Sequence, residues 1–229
     1  MSHPTTTADP AVVHAPASVT NGRAFRLRRT VGALSFPAVF LVMIAGTALL
    51  DPLDDSANER TTLAQAVGHA GEIGALAWAE ILGALLTLAG LLTVVGYARH
   101  RGAGIANATA VLGALSAVGM VGIALNHLVV AGLTSAHLGA AQKVEAFTRF
   151  HNAGGAVVVF IMIGALGFVT AALTAWRSGL SHRLVLVPAV AFLVLSFAPG
   201  PVAEYAAFAA GLVMASWIAC DLLRAVEAH

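Results

Sequence analysis

Two residues able to do chemistry stand inside stretches that are otherwise apolar, Glu80 and His127. An ionisable side chain in hydrocarbon is costly, so each is a functional hypothesis by default. On a helix of 3.6 residues per turn, positions 69, 72, 76, 80, 83 and 87 share one face. They hold His69, Glu72, Leu76, Glu80, Gly83 and Thr87, a face that is polar for several turns. Glu80 lies about 12 Å deeper than Glu72 at the helical rise. In the next apolar run Ser116, Met120, Ile123 and His127 share a face, with Asn126 beside it. His127 stands about 9 Å from the end of that run, so it and Glu80 reach similar depth and can pair. A carboxyl group beside an imidazole is suitable machinery for proton transfer.

The remaining polar candidates fall at helix boundaries on the same side: His69, Glu72, His137, His151, Asn152 and Glu204, the last followed by Tyr205. The expected ligand-binding set is Glu80, His127, Asn126, His69, Glu72, His151, Asn152 and Glu204. His69, His127 and His151 are the candidate metal ligands, because imidazole suits zinc, copper and iron and can ligate haem axially. A haem held by two histidines needs them at matched depth, and His127 is deeper than His69 or His151. Neither an HExxH nor an HxxxH spacing occurs. Each residue also has a structural reading. Glu80 can be an ion-pair partner or a protonated acid bonded to a backbone carbonyl, and His127 an interhelical hydrogen bond. His100 and His182 sit beside arginines in short turns, and His3, His14 and His229 lie in tails.

These side chains must be positioned by membrane helices. Of 229 residues, 59% are hydrophobic and 10% charged, and mean hydropathy is +0.86. A soluble domain carries about 25% charge, so the bilayer is the expected solvent and partner. A net charge of +1 gives no case for nucleic-acid binding. The single cysteine, Cys220, excludes an internal disulfide and a CxxC redox motif. Residues 1–22 contain no apolar core of a signal peptide, so the first apolar run is expected to remain as an anchor.

The expected fold class is all-α, a polytopic bundle of six spans. A span needs roughly 20 apolar residues, and the runs fall near 31–50, 73–98, 104–133, 153–176, 184–198 and 202–223. The fifth is short and contains Pro188; Pro199, Gly200 and Pro201 then make a tight turn into the sixth. The expected domains are a disordered cytoplasmic tail over 1–29, the membrane domain over 30–224 and a short tail over 225–229. Nine of the twelve basic residues lie on one side: Arg23, Arg26, Arg28, Arg29, Arg99, Arg101, Arg177, Arg183 and Arg224. Arg60, Lys143 and Arg149 lie on the other. The positive-inside rule then puts both termini in the cytoplasm of a cell with the protein in its cytoplasmic membrane. The loops 51–72, with Asp51, Asp54, Asp55 and Glu59, and 134–152 are outside, each with a short amphipathic helix (61–67 and 141–150).

Val31 to Ser35 and Leu112 to Ser116 both contain Gly-Ala-Leu-Ser, and Gly83-Ala-Leu matches Gly164-Ala-Leu at the same offset. Repeated two-helix hairpins are one explanation. Close packing by small residues in lipid is the other. The function expected from all this is a membrane protein with an outward-facing polar pocket that binds or passes a small molecule, lipid or proton. The alternatives are an intramembrane enzyme using Glu80 and His127 as acid and base on a lipid or isoprenoid, and a haem or metal protein.

Overall fold

Inside a membrane every backbone N–H and C=O must be satisfied within the protein, which leaves helices as the simplest answer for Ala-, Leu- and Val-rich runs. A computed structural model of the chain describes residues 19–53, 58–98, 103–153 and 155–227. It is all-helical there: α1 (Val19–Leu50), α2 (Glu59–Gln65), α3 (Ala70–Ala98), α4 (Ala103–Ser135), α5 (Ala140–Ala153), α6 (Gly155–Arg177), α7 (Leu186–Leu195, preceded by a 3-10 turn at Arg183–Val185) and α8 (Pro201–Glu227). Four stretches are long and apolar enough to cross a membrane: Arg26–Leu50, Ala70–Ala98, Ala103–Ser135 and Pro201–Ala225. The apolar stretches Met162–Arg177 and Arg183–Leu195 are shorter.

In two places the helices differ in extent from the expected segments. The segment 19–29, assigned to a disordered tail, belongs to α1. Extending an existing helix by a turn avoids the nucleation cost, so the apolar run carries its arginine-rich flank into the helix. Residues 1–18 lie outside the described residues. The fifth expected span, 184–198, forms only the 3-10 turn and the ten-residue α7. At the helical rise α7 is about 15 Å long, half the hydrocarbon thickness. Pro188 sits in the first turn of α7, where a missing N–H costs little.

α1 packs against α3 and α8; α3 also packs against α4, α4 against α6, and α7 against both α6 and α8. The neighbour order is therefore α8–α1–α3–α4–α6–α7, closing back on α8. At its centre Phe36 and Phe40 of α1 meet Phe168 of α6 and Phe192 of α7, with ring centroids 5.1 to 5.8 Å apart. Between α4 and α6 the buried Thr109 and Thr174 hydroxyls share a 2.8 Å hydrogen bond. Such polar links and close backbone contact, rather than hydrophobicity, hold helices together in lipid.

At one end α2 and α5 pack on each other and on α4. Both fall where the sequence predicts short amphipathic helices. Asn58 starts α2, its Oδ1 accepting from the Thr61 N–H at 3.0 Å, a side-chain cap. Leu63 of α2, the adjoining Ala66 and Phe147 of α5 bury against Ile73 and Val130 as a second, smaller core. Lys143 donates to the Thr134 carbonyl at 3.0 Å and ties α5 to the end of α4.

The duplicated motifs meet different neighbours at one pair of corresponding glycines. A Cβ added at Gly164 would lie 2.9 Å from the Ser116 Cα. At Gly83, its counterpart, the three nearest atoms belong to Met120, Met43 and Val39 rather than to Ser35.

Candidate functional site

The inward face of α3 carries Ile73, Leu76, Ala77, Glu80, Gly83, Ala84 and Thr87, all buried. A helix whose buried stripe is apolar above and below Glu80 gives that carboxyl one escape, a polar partner on a facing helix. α4 supplies it. The His127 Nδ1 and the Glu80 Oε2 share a hydrogen bond of 2.9 Å. The side chains are 12% and 5% exposed, so the pair is nearly dry. The depth match expected from helical rise is met in the structure.

Above the pair, Ile73 and Val130 are fully buried in the small core under α2 and α5. Ile73 is about two turns before Glu80 and Val130 about one turn after His127. Below it, Met120 and Met43 close on Gly83, and the Thr87 hydroxyl reaches the Met120 Sδ at 3.5 Å. The pair is therefore covered from the α2/α5 end by apolar packing and from the other end by thioethers.

The other expected site residues are not gathered around the pair. His69 and Glu72 bond to each other at 2.7 Å on an exposed turn. Their spacing of three residues puts them on adjacent positions of the helix surface, where such pairs form readily. His151 and Asn152 are exposed at the end of α5, and His151 lies against Phe147 with ring centroids 6.1 Å apart. Asn126 is half-buried beside His127 on α4, and His137 is exposed in the α4–α5 connection. Among the described residues, no three His, Cys, Asp or Glu side chains are grouped as a metal-ligand set. His69, His127 and His151 are thus held apart, two of them already bonded to carboxylates.

By helical rise Glu204 stands at about the level of Glu80 along the bundle. Arg29, Thr93, Tyr97 and Leu222 line one cleft, which fixes a common level on α1, α3 and α8. From that level Glu80 is about 25 Å along α3 and Glu204 about 27 Å along α8, whereas Glu72 is about 37 Å away. The short α7 explains this, because the turn into α8 is reached early. Glu204 and Glu80 stand on the two helices that flank α1.

Asp51 follows α1 directly, and its Oδ1 accepts from the Leu53 N–H at 3.0 Å.

Comparison with protein-family models, with curated proteins and with solved structures gives no match. The chain's chemistry is therefore argued from its own residues. A carboxyl and an imidazole sharing a proton in a dry site can exchange it, hold it for a ligand, or simply tie α3 to α4.

Proposed function

We propose that this chain is an integral protein of the cytoplasmic membrane, with both termini inside. Glu80 and His127 then form an outward-facing polar site that binds or passes a small molecule, a lipid or a proton. The observation that carries the reading is the 2.9 Å bond between a buried carboxyl and an imidazole on facing apolar helices. Four apolar helices of sufficient length support the membrane setting. α6 is 23 residues long, about 35 Å at the helical rise, which fits a fifth crossing. α7 and its 3-10 turn complete a sixth pass in which the bilayer is locally thinned, a known accommodation of short spans. By the positive-inside rule, the arginines near the α1 start, the α6 end and the α8 end support reading that side as cytoplasmic. The α2/α5 end, with Asp51, Glu72 and His69, then faces outward.

The same pair suits acid–base chemistry on a lipid or isoprenoid substrate, which is the second reading. One set of preparations separates the readings. Vesicles containing the protein and a pH-sensitive dye are expected to admit protons under an imposed potential faster than empty vesicles, or a stoichiometric lipid or small molecule is expected to co-purify. Glu80→Gln and His127→Ala are each expected to abolish whichever appears while remaining folded. A wild type showing neither behaviour, or folded variants that retain it, would refute the site. Turnover of added lipid would select the enzymatic reading, and a Soret band or bound metal the haem or metal reading.

A further inference from the structure

An outward-facing site needs a way in, and the cover over Glu80 and His127 is least firmly built at α2. This helix has seven residues, too few to hold a helical shape without packing. Arg60, Thr61, Ala64 and Val67 are exposed, and Leu63 with the adjoining Ala66 is what the segment buries. Those two side chains lie in the small core with Ile73, Val130 and Phe147. A short element seated on so little apolar surface belongs to the part of a fold that opens locally at low cost.

The other covering elements are fixed. Lys143 of α5 holds the Thr134 carbonyl at the end of α4, and Gln142 accepts from the Gly139 N–H at 3.0 Å, closing the turn that enters α5. α3 is set from His69 onward, whose carbonyl accepts from the Ile73 N–H at 3.0 Å. Between α2 and α3 stands Gly68, at φ +90°, a conformation that glycine adopts at no steric cost. Gly68 is exposed, and a Cβ built there meets nothing within 4 Å. One hydrogen bond spans it, from the His69 N–H to the Ala66 carbonyl at 3.1 Å, and water can replace such a bond at modest cost. Rotation at Gly68 therefore lifts Leu63 and Ala66 off Ile73 and Val130 while α3 and α5 stay in place.

What lies beneath gives the motion a consequence. Ile73 is about two turns before Glu80 on the buried stripe of α3, and Val130 about one turn after His127 on α4. Leu76, between Ile73 and Glu80, is turned toward α1, its Cδ1 3.2 Å from a Cβ built at Gly46. Ile73 and Val130 are thus the layer between α2 and the pair. We propose that α2 is a lid, hinged at Gly68, whose opening admits the ligand to Glu80 and His127 from outside. The proposal rests on the outward-facing reading of that pair.

The test uses the full-length protein with Cys220→Ser and His127→Cys in oriented membranes. The rate at which a small, charged thiol reagent labels position 127 from the outer side is measured. That rate follows the open population when the lid moves faster than the reagent reacts. Leu63→Ala removes the packed side chain and is expected to raise the rate about thirtyfold. Gly68→Ala adds no contact and strains only the closed backbone, and is expected to raise it about fivefold. Leu222→Ala truncates an equally buried leucine at the cytoplasmic end. It is expected to lower the melting temperature and leave the labelling rate within about twofold. Outer-side labelling that neither Leu63→Ala nor Gly68→Ala changes overturns the lid and leaves the outward-facing reading standing. An equal rise in Leu222→Ala also overturns the lid, since the whole bundle would then have loosened. Absence of outer-side labelling in every background overturns both.

Discussion

Removing the Glu80 carboxyl is expected to be the most costly single change to a polar residue in this protein. Two magnitudes compete. Breaking a buried ion pair by deleting one partner costs about 3–5 kcal/mol in soluble proteins. Interhelical hydrogen bonds in a membrane protein average about 0.6 kcal/mol and reach about 1.7. The lower scale governs here, because His127 keeps a further interaction within the protein and retains 12% exposure. Glu80→Ala is therefore expected to destabilise by about 2 kcal/mol, the lost bond plus a small cavity. Glu80→Gln keeps an acceptor and a donor and is expected to cost less than about 1 kcal/mol. In a double-mutant cycle with His127→Ala, unfolding in mixed micelles is expected to give a coupling of about 1 to 2 kcal/mol. Additive single effects would mean that the 2.9 Å contact does not hold in the protein.

That pairing was legible because two periodicities agree. Helical phase puts Glu80 on the inward stripe of α3, and counting residues from the chain turns puts His127 at its depth. The level of Glu204 relative to Glu80 was not legible, for a physical reason. Its depth depends on where α7 ends, and an apolar run does not announce whether it is a full span or a ten-residue helix. Likewise the start of α1 is hidden, since arginine and alanine continue a helix as readily as they form a tail. The His69–Glu72 bond is local and carries no information about the fold, although its residues looked like part of the buried face. The Thr109–Thr174 link joins residues far apart in sequence, and isolated threonines in apolar helices give no sign of their partners.

A large effect of a change at a small residue is expected at Gly164. A Cβ there would lie 2.9 Å from both the Cα and the Cβ of Ser116 and 2.7 Å from its Oγ. The Oγ can rotate away, but the Cα belongs to α4 and moves only with the helix. Gly164→Leu must therefore separate α4 from α6, stretching the Thr109–Thr174 bond on the same interface. Overpacking of this kind costs about 1–3 kcal/mol, and rigid backbone on the receiving side favours the upper end. Gly96 is the internal control. No atom outside its own helix lies within 4 Å of a Cβ placed there, so Gly96→Leu is expected to change stability by less than about 0.5 kcal/mol. Comparable losses at both positions would show that helix propensity or insertion, not the α4–α6 contact, sets the effect.

The site account requires more than a bond between two helices, because a sealed pair would be only a link. Small-core packing by Ile73, Val130 and Phe147 covers Glu80 and His127 from the α2/α5 end. Access from outside then requires that this cover move or that the exposed part of His127 admit the ligand. The decisive measurement replaces the exposed Cys220 by serine, introduces His127→Cys, and applies a small, charged, water-soluble thiol reagent to oriented membranes. Labelling at position 127 from the outer side, and not from the cytoplasmic side, is the result expected of an outward-facing site. Labelling from the cytoplasmic side alone, or no labelling from either side in a folded protein, would contradict it.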